Sequence, residues 1–299
     1  MEKTKKIWFD GKLVDWQKAK VHLLSHALHY GSAVFEGIRC YKTKQGPAVF
    51  RLQEHLKRFF YSAQVLAMEL PFNLEELKKA VRDTIKANKI EECYIRPIAF
   101  YGYGKMGLNP KGASLHVAIA VWPWGKYLGK EYVKVKTSQF IRLHPRSIFA
   151  AAKVSGYYVN SIFATLDAQK KGYDEALLLD HQGYVAEGPG ENIFFVKNET
   201  LLTPALGSIL PGITRASLIQ IAKDLKIPTI EKKIKYAEIK KMEAAFFVGT
   251  AVEVCPIKQI DRVVFKSKNF KIVFKLKEIF ERIVRGEEKK YLSWLTFVR

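Results

Sequence analysis

One lysine in the sequence has neighbours unlike those of the other lysines. Lys153 lies in the run IFAAAKVSGYYVNS, with small apolar residues before it and small residues and two tyrosines after it. A lysine that forms a Schiff base must be neutral when it attacks a carbonyl group, and apolar surroundings favour the neutral amine. The small neighbours would leave room for a flat cofactor ring. The run is equally compatible with a lysine that reaches solvent from the end of a helix or strand.

A glutamate beside a Gly-Pro-Gly turn is the second candidate for chemistry. Glu187 stands in the run VAEGPGENIFFV, and a strand is predicted after the turn. A carboxylate can hold a proton on the ring nitrogen of a pyridine cofactor, which makes the ring a better electron sink. Taken alone, the run is explained more simply by an exposed glutamate in an ordinary turn.

Three further segments carry residues suited to anionic groups. LPGITRASLIQIAKDL predicts a helix with Thr214 as its N-cap, and free N–H groups at a helix start bind phosphate, here at Ile213 and Thr214. The strand FFVGTAVEV leads into Thr250 and Ala251, whose hydroxyl and amides could bind a phosphate or a carboxylate. Arg58, in the predicted helix EHLKRFF, is a candidate phosphate ligand. Each segment is also typical of a plain capped helix, a turn or a solvated arginine.

The strand CYIRPIAF carries a candidate binding arginine. Alternation along a strand places Tyr94 and Arg96 on one face. Arg96 could therefore hold a substrate carboxylate beside the tyrosine, or it could lie exposed at a sheet edge.

Three histidines have a spacing that would suit a metal on a helix. His22, His26 and His29 would share one helical face, as zinc ligands can. The segment offers no fourth ligand and no catalytic carboxylate, so we expect polar packing or interface roles and no metal.

The elements that must position these residues alternate between strands and helices. Asp10-Gly11 predicts a hairpin turn, and Asn73 with Glu76 predicts a capping box at a helix start. The pattern runs to about residue 120 and restarts after a segment rich in Pro, Gly and aromatic residues. We therefore predict an α/β or mixed α+β fold with domains at 1–122 and 133–299, joined by a linker at 123–132.

Composition limits the class of protein. The chain has 299 residues, 48% of them hydrophobic, and 50 Lys and Arg against 29 Asp and Glu, a net charge of +21. The basic residues are scattered among acidic ones, which favours a solvated surface over a nucleic-acid or membrane partner and over attraction of anionic small molecules. The three cysteines are odd in number and far apart, so we expect no disulfide framework. No apolar run approaches the ~18 residues of a membrane span, and the N-terminal apolar run is too short for a signal peptide. We expect a cytoplasmic protein.

Six segments, taken in order, resemble one enzyme family. LLSHALHYGSAVFEGIRCY, EHLKRF, CYIRPIAF, VAEGPGENIFFV, LPGITRASLI and GTAVEVCPI are together similar to class IV aminotransferases, enzymes of fold type IV that use pyridoxal 5′-phosphate (PLP). Within that class the chain most resembles the branched-chain amino acid aminotransferases, from about residue 6 to the C-terminal helix. The resemblance implies a small N-terminal α/β domain and a larger C-terminal domain of pseudo-barrel type.

The resemblance also implies an activity and an assembly. The activity is reversible transamination between branched-chain L-amino acids (leucine, isoleucine and valine) and 2-oxoglutarate by a ping-pong mechanism. The assembly is a homo-oligomer, at least a dimer, and hexamers occur in the family. The implied partners are small-molecule substrates, with no nucleic acid and no membrane.

The resemblance further implies roles for individual residues. Lys153 is the catalytic Schiff-base lysine, Glu187 pairs with the pyridine nitrogen, and Tyr158 lies near the 3′-oxygen of the cofactor. The phosphate contacts are Arg58, Ile213, Thr214 and Thr250. Arg96 receives the distal carboxylate of glutamate. The remaining substrate-pocket residues are Phe35, Gly37, Tyr94, Trp124, Tyr127, Thr250 and Ala251, with Tyr30 and Leu108 contributed to the active site of a partner subunit.

Two departures and three alternatives accompany the resemblance. Ala186 stands where serine is frequent in the family, and Tyr157 where asparagine is frequent, which puts fine substrate preference in doubt. D-amino-acid aminotransferase and aminodeoxychorismate lyase share the fold, but the runs VFEGIRCY and YIRP favour the branched-chain enzymes. A basic nucleic-acid-binding protein is the alternative from another class, and the scattered charge argues against it.

Overall fold

The computed structural model describes residues 2–125 and 128–298. By the packing of its Cα atoms the chain divides into two compact units: unit 1 comprises residues 1–125, 152–156 and 282–299, and unit 2 comprises residues 126–151 and 157–281. Neither unit is therefore one continuous stretch of chain, unlike the division predicted at 122 and 133. The C-terminal strand joins unit 1 because it pairs with a strand of that unit, and Val154 does so through a bridge to Val34. The predicted domain boundaries stay a prediction.

The described residues form six α-helices and sixteen strands. The helices are α1 (His26–Tyr30), α2 (Leu52–Val65), α3 (Leu74–Asn88), α4 (Tyr158–Lys170), α5 (Ile213–Asp224) and α6 (Lys271–Val284). The strands are β1 (Lys6–Phe9), β2 (Lys12–Asp15), β3 (Ala33–Phe35), β4 (Ile38–Thr43), β5 (Gly46–Phe50), β6 (Cys93–Tyr101), β7 (Leu115–Trp122), β8 (Val133–Thr137), β9 (Glu175–Leu177), β10 (Asn192–Lys197), β11 (Thr200–Pro204), β12 (Thr229–Lys232), β13 (Ala244–Gly249), β14 (Glu253–Ile260), β15 (Val263–Val264) and β16 (Leu295–Phe297).

The sheet of unit 1 is antiparallel throughout. Its strand order is β16-β5-β4-β6-β7-β1-β2, and β3 pairs with residues 98–100 of β6. The long strand β6 thus contacts β3, β4 and β7. Helix α2 packs on β3, and α3 packs on β1 and β7. The predicted hairpin is confirmed, since β1 and β2 pair across Asp10-Gly11.

The sheet of unit 2 mixes parallel and antiparallel pairs. Its order is β12-β11-β10-β13-β14-β8-β9, with β15 beside β14. The central strands β10 and β13 are almost entirely buried, which explains why they read as continuous apolar runs rather than as alternating ones. Helix α4 packs on β8 and β9, and α5 packs on β12 and β13.

Helix α3 begins as the sequence predicted. The Asn73 side chain accepts a hydrogen bond from Glu76 N at 3.0 Å, and Glu76 Oε2 accepts one from Asn73 N at 2.7 Å. This capping box satisfies two N–H groups that a helix start leaves unpaired. None of the helices in the described ranges is both long and apolar enough to cross a membrane.

Candidate active site

The backbone of Lys153 is held on both sides within unit 1. Its N–H donates to Ser62 Oγ on α2 at 2.9 Å, and its carbonyl oxygen accepts from Phe35 N on β3 at 3.1 Å. The next residue, Val154, forms a bridge with Val34. The side-chain Nζ lies 4.9 Å from the centre of the Phe35 ring. The main chain of this half-buried lysine is therefore held in place, and its amine lies beside the ring of Phe35.

Arg96 lies among aromatic rings on the same unit. Its guanidinium carbon is 4.7 Å from the centre of the Phe35 ring and 5.3 Å from that of Tyr94, and Nη2 donates to Tyr94 Oη at 3.5 Å. The prediction that Tyr94 and Arg96 share a face is confirmed. Trp122, which the sequence reading did not single out, lies 5.7 Å from the same guanidinium. Arg96 Nε is buried and has no hydrogen-bond partner among the described residues, so its N–H is available to donate to an oxygen of a ligand.

Two more predicted pocket residues pack on Tyr94. The rings of Tyr94 and Trp124 meet edge to face at 4.3 Å between centroids. Gly37 is buried against the tyrosine hydroxyl, and a Cβ atom at this position would lie 1.9 Å from Tyr94 Oη. Only glycine fits there without moving the hydroxyl. The structure thus brings Phe35, Gly37, Tyr94, Arg96 and Trp124 together.

Arg58 forms a buried ion pair that the sequence reading missed. Its Nε donates to Glu36 Oε1 at 2.6 Å and its Nη2 to Glu36 Oε2 at 2.9 Å. His55, one turn earlier on α2, donates from Nδ1 to Glu36 Oε2 at 2.7 Å. The signal that could have found Glu36 is a lone charge in the apolar run SAVFEGI. The network fixes the direction of the Arg58 side chain.

In this network, burial and the ion pairs of Glu36 shift the pKa values in opposite directions. Burial alone would raise the pKa of the Glu36 carboxyl, but Arg58 and His55 hold that pKa well below its usual range. Burial lowers the pKa of His55, and with the charges of Arg58 and Lys153 it outweighs the contacts with Glu36 that raise that pKa. Glu36 is therefore ionised and His55 is neutral near neutral pH.

Glu187 is a buried and fully engaged carboxylate of unit 2. Arg142 Nε donates to Oε1 at 2.8 Å and Asn192 Nδ2 donates to Oε2 at 3.0 Å. Leu210 N lies 3.2 Å from both oxygens. The reading of Glu187 as an exposed turn residue is excluded, because only 4% of its surface is exposed. The sequence analysis missed both partners. Arg142 lies in a different segment of the chain, and Asn192 lies after the Gly-Pro-Gly turn that follows Glu187.

Helix α5 begins differently from the prediction. Its N-cap is Gly212, with φ −66° and ψ 133°, and Thr214 is the second residue of the helix. The prediction of Thr214 as N-cap is therefore wrong. A Cβ atom on Gly212 would lie 1.9 Å from Asn192 Oδ1, so the helix start packs closely on the residue that holds Glu187. Ile213 and Thr214 nevertheless lie in the first turn, where N–H groups lack partners within the helix.

The other predicted residues lie at several places in the chain. Thr250 and Ala251 form the turn between β13 and β14, and Tyr158 is the first residue of α4. Tyr30 and Leu108 are exposed in this chain, by 44% and 87%. The prediction for Tyr127 lies outside the described residues.

The three histidines each have a partner of their own. His26 is buried, with Nδ1 2.6 Å from Ser32 Oγ and Nε2 2.7 Å from the carbonyl oxygen of Gly107. His22 Nδ1 accepts from Leu24 N at 3.0 Å, and His29 Nε2 donates to the carbonyl oxygen of Leu23 at 3.1 Å. Polar packing accounts for these contacts.

Comparison with known proteins assigns the family. Residues 33–260 match the family model of amino-transferase class IV. The chain is 42% identical over 298 residues to a branched-chain-amino-acid aminotransferase of Pseudomonas aeruginosa, covering 98% of this chain and 97% of the relative. It is 40% identical over 301 residues to the Escherichia coli K12 protein of the same name, again covering 98% and 97%. The chain belongs to the branched-chain aminotransferases of class IV. The predicted family and enzyme class are thereby confirmed.

Solved structures of the family agree in fold. The branched-chain aminotransferase of Thermoproteus uzoniensis with norvaline superposes with a TM-score of 0.95 at 45% identity, covering 99% of this chain and 100% of that one. The branched-chain amino acid aminotransferase of Thermobaculum terrenum in its PLP form has a TM-score of 0.93 at 31% identity, covering 100% of both chains. The predicted fold class, mixed α/β of fold type IV, is confirmed. PLP is the cofactor of class IV aminotransferases, as predicted.

Proposed function

We propose that the chain catalyses reversible transamination between branched-chain L-amino acids and 2-oxoglutarate in two half-reactions at one site. The observation that carries the substrate proposal is the group around Arg96. Phe35, Tyr94 and Trp122 offer aromatic surfaces to a branched aliphatic side chain, whereas the guanidinium, with its unpartnered Nε, can bind the distal carboxylate of glutamate. A purely apolar pocket could not offset the desolvation of that carboxylate.

The proposed donor groups fit PLP in their chemistry. The proposed phosphate ligands are Arg58, the first N–H groups of α5 and Thr250, and a helix start is a favourable anion site. The proposed partner of the ring nitrogen is Glu187, a buried carboxylate already held by three donors. Lys153 supplies the amine, and we place Tyr158 near the 3′-oxygen of the ring.

The chain's residues divide the work of the reaction. When bound, PLP supplies an electron sink for the carbanion that forms at the α-carbon. The Lys153 amine removes the α-proton of the amino acid and then donates a proton to the cofactor carbon that is bonded to the amino nitrogen. Glu187 holds a proton on the ring nitrogen. Phe35 limits water at the lysine amine, because its ring lies 4.9 Å from Nζ.

We also propose that the active form is at least a homodimer. Tyr30 and Leu108 are the residues that one subunit would contribute to the substrate pocket of the other. Their exposure in the single chain, 44% and 87%, is compatible with that role.

The test is the visible absorbance of the purified holoenzyme. We expect a PLP band that collapses on addition of L-leucine and returns on addition of 2-oxoglutarate, whereas D-leucine leaves it unchanged. Lys153→Ala should lose conversion of the cofactor to its pyridoxamine form by L-leucine, and with it all turnover, because no other amine is proposed to move the α-proton.

The possible results separate the proposal from its rivals. A response to D-leucine alone would assign the chain to D-amino-acid transamination. Conversion of bound PLP to its pyridoxamine form by L-leucine in Lys153→Ala would remove the lysine from its role. Absence of the band after PLP is supplied to the wild-type protein would contradict the proposed chemistry as a whole.

A further inference from the structure

The salt bridge between Arg142 and Glu187 has no role in the reaction as proposed above. Arg142 Nε and Glu187 Oε1 are 2.8 Å apart, and 11% and 6% of the two side-chain surfaces are exposed. Removing two charges from water costs several kcal/mol per ion, so such a pair persists only where good geometry offsets that cost. Asn192 and Leu210 supply the further hydrogen bonds that this requires.

The arginine is presented by a segment whose backbone is itself held. Residues 138–151 contain no helix or strand. The N–H of Arg142 nevertheless donates to the carbonyl oxygen of Leu179 at 2.7 Å. The preceding carbonyl, that of Ile141, accepts from Asn160 Nδ2 on α4 at 3.0 Å. These two tethers fix the peptide group that precedes the Arg142 Cα atom, so the guanidinium is aimed by the fold and not by a flexible loop.

A carboxylate beside a pyridine nitrogen shares one proton with it. The proton either forms a carboxylic acid next to a neutral ring nitrogen, or it leaves a carboxylate next to a protonated nitrogen. A cation in contact with the carboxylate stabilises the second arrangement, because opposite charges attract most strongly at the shortest distance. Arg142 makes that contact with Glu187. Burial without Arg142 would favour the first arrangement, since desolvation penalises the charged form.

We propose that Arg142 is a positioning residue that keeps Glu187 ionised and thereby keeps the shared proton on the ring nitrogen of bound PLP. The proposal rests on the proposed function, in which Glu187 faces that nitrogen. An adjacent opposite charge shifts the ionisation of a carboxyl group by about 1–3 pKa units. Removing the charge of Arg142 should therefore shift the proton toward Glu187 by about 10- to 1,000-fold.

The experiment measures the proton directly in the holoenzyme. Wild type, Arg142→Gln and Arg142→Lys are loaded with PLP labelled with ¹⁵N at the ring nitrogen, whose chemical shift reports protonation. The matched control is Lys136→Gln, which removes another partly buried ion pair of unit 2, that with Asp261. We expect a protonated nitrogen in wild type, in Arg142→Lys and in the control, and an unprotonated nitrogen in Arg142→Gln. The PLP dissociation constant should rise only in the two Arg142 variants.

Each result bears on the proposal. A protonated ring nitrogen in Arg142→Gln, with unchanged PLP affinity, would overturn it. If Arg142→Gln does not fold, Arg142→Lys takes over the test: it keeps the charge, so an unprotonated nitrogen in that variant overturns the proposal and a protonated one with weaker PLP affinity supports it. Wild-type protein that binds no PLP would instead contradict the proposed function, and the two failures are thereby distinguished.

Discussion

Arg96 is the residue that lets one pocket treat an aliphatic and an acidic side chain differently. Its guanidinium stacks on Phe35 and Tyr94, and its Nε is buried without a partner in the described part of the chain. An aliphatic side chain cannot accept a hydrogen bond from this N–H group, whereas a carboxylate oxygen can. Hydrogen bonds to charged groups contribute about 1.5–3 kcal/mol.

Arg96→Gln should therefore separate the two half-reactions. We expect kcat/KM for glutamate and for 2-oxoglutarate to fall by about 10- to 100-fold, since about 1.4 kcal/mol corresponds to a tenfold change. For leucine we expect a change of less than about threefold. Stopped-flow absorbance of each half-reaction measures both values. Arg282→Gln, which removes the exposed partner of Glu288, is the control for loss of an arginine. Equal losses with both substrates would leave Arg96 with a structural role only.

The sequence could predict residue types at the site but not their partners. Lys153, Glu187 and Arg58 stand in recognisable runs, and the face shared by Tyr94 and Arg96 follows from alternation alone. Glu36 and Arg142 were not predicted, because each is recognised only by a contact with a residue distant in sequence. Glu36 contacts Arg58, and Arg142 contacts Glu187. A lone glutamate or arginine in a run gives no sign of which charge will lie beside it after folding.

Local sequence patterns were sufficient to predict those helices and hairpins whose contacts join residues close in sequence. The β1–β2 hairpin and helix α3 depend on turn and capping residues close in sequence. The pairing of β16 with β5 joins strands from opposite ends of the chain, and no local pattern encodes it. The start of α5 was misplaced for a similar reason, because Gly212 is required by its contact with Asn192 rather than by the helix.

Asn73→Ala should measure what the capping box contributes to α3. Loss of an Asn cap costs about 1 kcal/mol of stability, and the Asn73 side chain accepts from Glu76 N at 3.0 Å. We expect the free energy of unfolding, from chemical denaturation, to fall by about that amount. Lys86→Ala, an exposed change in the last turn of the same helix, is the control and should stay within about 0.5 kcal/mol. Equal effects of both changes would show that the helix start is held by packing and not by its cap.

At the scale of the whole molecule, the charge is strongly unbalanced. The net charge is +21 near neutral pH, and it becomes more positive as carboxylates protonate. Several of these carboxylates form ion pairs with basic side chains in the folded protein. Burial would raise the pKa of Asp174 and of Asp261, but hydrogen bonds with Lys130 and with Lys136 lower them. The pKa of Glu36 is lowered in the same sense by Arg58 and His55.

These shifts give stability a definite dependence on pH. A carboxyl group with a lowered pKa in the folded state stabilises fully above its unfolded value, about 4, and this stability is lost as pH falls through the folded value. Burial lowers the pKa of His55, so its protonation below about pH 6.5, the unfolded value, also favours unfolding. Both effects have the same sign as the growing repulsion between positive charges.

We therefore expect the melting temperature to fall steadily as the pH is lowered from about 7 to 4, and most steeply below about pH 5. Added salt should raise the melting temperature more at pH 4 than at pH 7, because screening acts on the larger repulsion. Scanning calorimetry at several pH values, each at low and high salt, measures both trends, and Glu36→Gln is the informative variant. Because that variant has no carboxylate to protonate at this position, its deficit relative to wild type should shrink as the pH falls. A deficit that is constant with pH would mean that the Glu36 network stabilises the fold by packing and not by charge.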